Sequence, residues 1–419
     1  MTSRRNEGRK PRLLVLTSTY PRWPGDPEPG FVHELARRLV RDFDVTVLGP
    51  HAPGAQTAGL MDGIGVRRYR YAPAPLETLV NDGGIATNLK RQPWKWLLVP
   101  GFILGGWLSL WRLVRSLEPD VIHAHWLVPQ GLMVATLGMV SRRVPPFLVT
   151  SHGADLYAFR GGLLARMKRF VVRRAAAATV VSEAMRDELA RLGANPGKVE
   201  VQPMGVDFDD RFVPGEARRS RDELLFVGRL VEKKGLRHLL DAMPRVLEAH
   251  PRAFLTVAGF GPEAAERTAQ ARRLGIDDRV RFVGAVAQAD LPELYRRAAV
   301  FVAPFVRSSS GDQEGLGLVL VEAIACGCPV VVSDLPAVQQ VLGGDAAAVR
   351  VPPADPDALA AALVEMLSRP PSAPELATRR KRLERQFGWP RVAEGYSALL
   401  RACAGGSVEE GHGADRLGQ

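Results

Sequence analysis

Cysteine is scarce in this chain. Cys326, Cys328 and Cys403 are three in 419 residues, too few for a disulfide framework. Cys326-x-Cys328 has no histidine or second cysteine pair nearby to complete a metal site. All three read as small buried side chains in a reducing compartment, and the expected location is the cytoplasm. Lysine is also scarce, 8 of 56 basic residues. Such a skew tracks genomic base composition as readily as function, so the arginine count alone points to no partner. A long apolar opening is missing as well. Leu13-Leu-Val-Leu16, behind Arg4, Arg5, Arg9 and Lys10, is shorter than the apolar region of a secretion signal and reads as a buried parallel strand. No nucleic-acid recognition motif accompanies the net charge of +11. Nucleic acid is therefore set aside, and diphosphates or acidic headgroups are the expected company of the basic surface.

The length is enough for two domains of roughly 200 residues, each with a sizeable core. Short apolar runs alternate with helical patterns in both halves, which predicts an α/β fold with two doubly wound parallel sheets. The first set of strands includes Leu13–Leu16, Asp44–Leu48, Val66–Tyr71, Asp120–Ala124 and Phe147–Thr150. A turn-rich stretch at 203–222 separates it from a second set beginning at Leu224–Val227. The expected division is 1–205, 206–388, an amphipathic helix 389–402 that crosses back onto the first domain, and a polar, Gly-rich, disordered tail 403–419. Trp96–Trp111 carries no charge and is preceded by Lys90, Arg91 and Lys95. With Pro100, Gly101, Gly105 and Gly106 it is too short and broken to span a bilayer. It reads as a buried connecting helix or, alternatively, as a helix on an anionic membrane surface.

The chemistry concentrates in Glu314-Gly-Leu-Gly-Leu-Val-Leu-Val-Glu322. Gly315, Leu316 and Gly317 allow a ligand to approach backbone N–H groups at a helix start, a natural seat for a diphosphate or sugar oxygens. A helix beginning near Leu316 puts Glu314 before its first turn and Glu322 about two turns in. Glu322 lies among Leu318, Val319, Leu320, Val321 and Ala323, so its carboxylate needs a partner or a ligand. About 80 residues earlier, Gly228 ends a strand; Arg229 can fork two phosphate oxygens and Lys234 adds a point charge. No Asp-x-Asp metal motif accompanies these residues, so no metal or other cofactor is expected. In the first domain, His152 and Asp155 follow the strand Phe147–Thr150, where open sheets bind ligands. His152 can donate to a sugar hydroxyl; Asp155 can hold an acceptor or orient a neighbour. His123 and His125 read as architecture bordering the same cleft. Gly30 opens a helix whose N-terminus a ligand can approach. Gly259-x-Gly261 makes a tight turn without the spacing of a dinucleotide fingerprint.

Together, Gly228-Arg229, Lys234-Gly235, Gly259-x-Gly261, the Glu314–Glu322 motif and Ala325-Cys-Gly-Cys-Pro329 resemble glycosyltransferase family 4. The resemblance runs to about residue 402. It implies GT-B architecture, two Rossmann-like domains facing across a cleft. It also implies a retaining transfer of a hexosyl unit from a nucleotide diphosphate sugar to a glycan or lipid-linked acceptor. By that resemblance Arg229 and Lys234 hold the donor diphosphate, Glu322 the ribose, Glu314 the donor sugar, and His152 touches the sugar from the first domain. Gly30 matches the family's glycine loop, although the Gly-Gly pair is replaced by the Pro-rich segment 21–29. The segment His125–Gly131 is similar to that of members building bacterial surface polysaccharides; the expected location is the cytoplasm, with the inner face of the membrane as an alternative. Two other readings are an inverting GT-B enzyme, separable by product stereochemistry, and a silent sugar-nucleotide-binding subunit, separable by absence of donor hydrolysis.

Overall fold

The computed structural model describes residues 9–405, apart from 27, 29, 82–83, 158–160, 216–218 and 344–347. The expected tail therefore lies outside the described residues beyond Gly405. Cys403 to Gly405 belong to the last helix, Trp389–Gly405.

Two sheets organise the chain. The first contains β1 (Arg12–Leu16), β2 (Asp44–Pro50), β3 (Ala58–Met61), β4 (Ile64–Tyr69), β5 (Val121–His125), β6 (Phe147–Ser151), β7 (Ala177–Val180) and β8 (Val199–Val201). Their spatial order is β3-β4-β2-β1-β5-β6-β7-β8. All neighbours are parallel except β3 and β4, an antiparallel hairpin at the edge. Asp62 and Gly63 turn it, at φ 50 and 79, the Asp-Gly chemistry that favours tight hairpins. The second sheet holds β9 (Glu223–Val227), β10 (Phe254–Ala258), β11 (Val280–Gly284), β12 (Val300–Ala303), β13 (Val330–Ser333) and β14 (Val349–Val351), in the order β11-β10-β9-β12-β13-β14. Strands such as Val300–Ala303 and Val330–Ser333 are buried at every position. Helices cover both faces, and this accounts for uninterrupted apolar runs in place of alternation.

The chain passes between the two sheets twice, at one place. The Val206 N–H donates to the Phe387 carbonyl at 2.8 Å, and Val206 bridges Gly388. The final helix then lies on the first domain: Tyr396 Oη donates to the Gln202 carbonyl at 2.9 Å, and Ser397 Oγ to Asp42 at 2.7 Å.

The Trp96–Trp111 segment departs from both its expected length and its expected burial. Helix extends over Pro93–Leu117, 25 residues, long and apolar enough to cross a membrane by length and composition. Pro100 does not break it: the stretch joins a 3₁₀ turn, Pro93–Leu97, to the α-helix Leu98–Leu117, and Pro100 falls in the first turn of the α-helical part, where proline is tolerated. The glycines serve close packing. A Cβ on Gly101 or Gly105 would stand 2.4 or 2.5 Å from the carbonyl oxygen of Tyr71 or Arg70. Only one stripe is buried: Leu98, Phe102, Gly106, Leu110 and Val114.

Candidate active site between the two domains

The predicted site residues lie on loops at the carboxyl ends of strands from both sheets. The helix carrying Glu322 starts at Leu318, two residues later than the sequence suggested. The reason is Gly317, left-handed at φ 81, which keeps the chain out of the helix until it has turned. Glu322 is therefore little more than one turn in.

The domains touch here. A Cβ on Gly153 would come within 3.2 Å of the Gly315 Cα, and one on Gly315 within 2.9 Å of the His152 carbonyl oxygen. The absence of side chains lets the His152 loop and the Glu314 loop meet. Leu316 is buried beside them.

On the second-domain side, Lys234 Nζ is 2.6 Å from Glu314 Oε2, with side chains 13% and 14% exposed. Lys234 also lies 4.7 Å from the Phe305 ring centroid, and Lys233 pairs with Asp312 at 3.2 Å. Burial alone would raise the Glu314 pKa, and it is the largest single influence. Lys234, Lys233 and the Gly315 N–H together outweigh it and hold the carboxyl down at about 2. Glu314 is thus an anion at any working pH. Arg229 reaches across the cleft: its Nη2 donates to Thr87 Oγ1 at 2.7 Å. Its Nε is buried without a hydrogen-bond partner among the described residues. An orphaned guanidinium N–H is costly unless something anionic completes it. Gly228 and Gly259 form the floor. A Cβ on Gly259, at φ 147, would fall 1.8 Å from the Gly228 carbonyl oxygen, so Gly259 serves loop packing at this point.

Glu322 is 7% exposed. Its oxygens accept from Gln288 Nε2 and Tyr295 Oη, each at 3.0 Å. Burial raises its pKa, and these two donors oppose the shift. Neither Gln288 nor Tyr295 carried any signal in the sequence.

In the first domain, three imidazoles stand in a row. His123 Nε2 is 2.7 Å from Thr150 Oγ1, and its ring centroid is 4.1 Å from that of His125. His125 Nδ1 is 2.9 Å from His152 Nε2, with the two rings only 10° from parallel. Phe31 and Trp126 flank His152 at 4.9 and 5.0 Å between centroids. Burial lowers the pKa of all three, to about 3 for His123 and His152. They are neutral at ordinary pH. When His125 donates to His152 Nε2, the proton of His152 must reside on Nδ1, the one nitrogen left to face a ligand. Trp126 sits at φ 74, a strained setting for a non-glycine residue.

Of the two roles open to Asp155, the structure fits orienting a neighbour, and the expected place of His125 changes. Asp155 is 1% exposed and accepts from the Leu127 N–H at 2.7 Å, Ser151 Oγ at 2.8 Å and the His152 N–H at 3.3 Å. It ties the His152 loop to β5 and is not open to an acceptor. His125, also 1% exposed, lies behind His152 and not along the cleft. Gly30 precedes the helix Phe31–Leu39 at φ −89. A Cβ there would meet no atom within 4 Å, so any need for glycine comes from outside the protein. Asp-x-Asp triplets do occur, at Asp42–Asp44, Asp207–Asp209 and Asp355–Asp357; the second lies in the connection between domains. There Asp207 accepts from the Asp210 and Arg211 N–H groups.

The sequence was compared with known proteins. Residues 31–210 match the family described as Glycosyltransferase Family 4, and residues 221–369 match Glycosyl transferases group 1. A glycogen synthase of Mycobacterium tuberculosis is 32% identical over 94% of this chain and 95% of its own. The chain belongs to glycosyltransferase family 4. A GDP-mannose-dependent alpha-(1-6)-phosphatidylinositol monomannoside mannosyltransferase of Mycolicibacterium smegmatis is 27% identical over 85% of this chain and 90% of its own. Among solved structures, sucrose-phosphate synthase from Thermosynechococcus elongatus superposes with a TM-score of 0.76 at 22% identity, covering 95% of this chain and 100% of that one. The fold of this glycosyltransferase is GT-B, and its donor is a nucleotide sugar.

Within this transferase, His125 is expected to act through His152. His125→Ala should lower kcat about 10-fold, in the range of couplings between contacting residues. It should add almost nothing when His152 is already Ala. Steady-state kinetics of the two single variants and the double variant check this; additive losses would separate the two histidines.

Proposed function

We propose that the enzyme transfers a hexosyl unit, with retention of anomeric configuration, from a nucleotide diphosphate sugar to a hydroxyl of a glycan or lipid-linked acceptor. The work would be done in the cytoplasm, in polysaccharide or glycolipid synthesis. The observation that carries this reading is the cationic wall of the cleft. Arg229 has a buried, unpartnered Nε beside Gly228, and Lys234 holds a buried carboxylate. As the glycosidic bond breaks, charge grows on the departing diphosphate, and these groups are aimed to stabilise it. Lys234 has three N–H donors, so Glu314 and a phosphate oxygen can share it.

Retention is supported by how the carboxylates at the site are engaged. Glu314 pairs with Lys234, Asp312 with Lys233, and Glu322 accepts from Gln288 and Tyr295; Glu28 interacts electrostatically with Arg229, and Asp155 lies beneath its loop. The acceptor attacks the face the diphosphate leaves, and a phosphate oxygen takes its proton. Closed domains exclude water meanwhile. His152 would hold a sugar hydroxyl through Nδ1. The relatives, one named a glycogen synthase and one a phosphatidylinositol monomannoside mannosyltransferase, support both acceptor classes. The test is NMR of the first-formed product: retained configuration is expected, and inverted product sinks the reading. Binding of donor with neither transfer nor hydrolysis would point to a silent subunit.

The diphosphate charge is assigned to Arg229 and Lys234, so no metal is proposed. Transfer should persist in EDTA at undiminished rate. Loss of activity in chelator, restored by Mg²⁺ or Mn²⁺, would assign part of the charge to a metal.

A further inference from the structure

The net charge is distributed unevenly. Residues 83–182 contain 13 Lys and Arg against 3 Asp and Glu, which is +10 of the chain's +11. The three acids are Glu118, Asp120 and Asp155, and none lies in the helices Ile85–Arg91, Leu98–Leu117, Leu132–Val140 or Gly162–Arg174. The last three pack side by side in that order. Their outer side is both basic and apolar. Trp94, Trp96 and Leu97 are 46%, 59% and 82% exposed, and Ile103 and Leu104 continue the ridge. Lys90, Arg91, Arg112, Arg115, Arg142 and Arg143 are exposed around it. Lys95 is not part of this rim, because it is buried and donates to the Thr78 carbonyl at 2.8 Å.

We propose that this face docks the enzyme peripherally on an anionic lipid bilayer, the helix Pro93–Leu117 lying along the surface without crossing it. The inference rests on the lipid-linked branch of the proposed function and supplies its partner. Charge complementarity selects the occupant: a rim of six exposed basic side chains, with Glu118 as the exposed acid at the end of the long helix, meets acidic headgroups, while exposed Trp and Leu enter the headgroup–acyl boundary. Nucleic acid would satisfy the rim but leave the ridge in water. Crossing is excluded by the inner stripe of the helix. Leu98, Phe102, Leu110 and Val114 are part of the core, and removing them would open it.

The docking face adjoins the chemistry. Thr87, which receives the Arg229 hydrogen bond, is on the same seven-residue helix as Lys90 and Arg91. That helix is about 10 Å long at 1.5 Å per residue. The bilayer surface therefore lies within about one short helix of the donor-phosphate wall. An acceptor anchored in the membrane would meet the donor without leaving it.

The full chain should cosediment with phosphatidylcholine vesicles containing phosphatidylglycerol, and less at high salt. Pure phosphatidylcholine should bind it far more weakly. Lys90→Glu with Arg91→Glu should weaken binding to the mixed vesicles by at least about 10-fold, at roughly tenfold or less per basic residue near the surface. Trp96→Ser with Leu97→Ser and Leu104→Ser should do the same, while donor hydrolysis in solution stays at the wild-type rate. Normal hydrolysis with no binding to either vesicle, or unchanged binding by both variants, overturns the docking face alone. So does a wild-type dimer that the Trp96, Leu97 and Leu104 substitutions dissociate, or binding of DNA or RNA in preference to vesicles. Loss of hydrolysis and transfer in the wild type would instead overturn the proposed function.

Discussion

Arg229→Ala and Lys234→Ala should each lower turnover by about 100-fold or more, the usual cost of losing a donor aimed at charge that develops in the transition state. The two variants differ in what they leave behind. Arg229 gives up its bond to Thr87 and a buried Nε, so its loss should cost little stability. Lys234→Ala strands Glu314 in a buried position without its nearest cation. The sign of the pH effect follows. The Glu314 pKa in the folded protein is about 2, against an ordinary 4.5. Its contribution to stability is therefore full above pH 4.5 and lost as pH falls through 2. The melting-temperature deficit of Lys234→Ala should be complete at pH 7 and shrink below pH 4.5. A deficit that grows with acidity, or near-wild-type turnover in either variant, would remove these residues from the diphosphate site.

The second large effect separates the two glutamates. Glu314 is ionised and next to the cation expected to hold the leaving group, so Glu314→Gln should act mainly on kcat. A fall of about 10- to 100-fold is expected, with donor KM moved little, the pattern of an interaction made chiefly in the transition state. Glu322 accepts from Tyr295 and Gln288, farther along the helix, and Glu322→Gln should raise donor KM about 10-fold with a smaller change in kcat. Tyr295→Phe, which removes one of those donors and little volume, should mimic Glu322→Gln in the same direction but more weakly. Michaelis constants for the donor in the three variants decide the matter. The opposite split, with Glu314→Gln changing KM alone, would exchange the two roles.

Much of this was legible in the sequence, and the reasons are specific. Strands such as Val300–Ala303 and Val330–Ser333 announce themselves because both faces are covered, which gives short valine-rich runs without polar alternation. Arg229, Lys234, Glu314 and Glu322 stood out because each charge sat against small or apolar neighbours. The partners did not. Thr87, Gln288 and Tyr295 are ordinary residues distant in sequence; the packing of the domains brings Thr87 to Arg229, and the fold of the second domain brings Gln288 and Tyr295 to Glu322. The late helix start was hidden in the conformation of Gly317, since glycine permits a left-handed turn without requiring it. The length of the helix around Trp96–Trp111 was not legible, because the effect of a helix-breaking residue depends on its position. Pro100 is harmless in a first turn, and Gly101 and Gly105 are contact points, not breaks. Asp62-Gly63 is a hairpin signal that the sequence carries openly.

The adjacent crossings at Val206 and Gly388 make the domain of the second sheet an insertion into that of the first. Both ends of the described chain belong to the host. A single-crossover chimera with a relative would therefore detach the last helix from the surface that shaped it. The bond from Tyr396 to Gln202 and those from Ser397 and Arg401 to Asp42 would all be mismatched. Trp389 would face a foreign surface in place of Gly205, where any Cβ would stand 2.5 Å from its ring. Donor specificity in this family should therefore be transplanted with two cuts, one after Gly205 and one before Trp389, so that the guest is exchanged whole and the host keeps its own final helix.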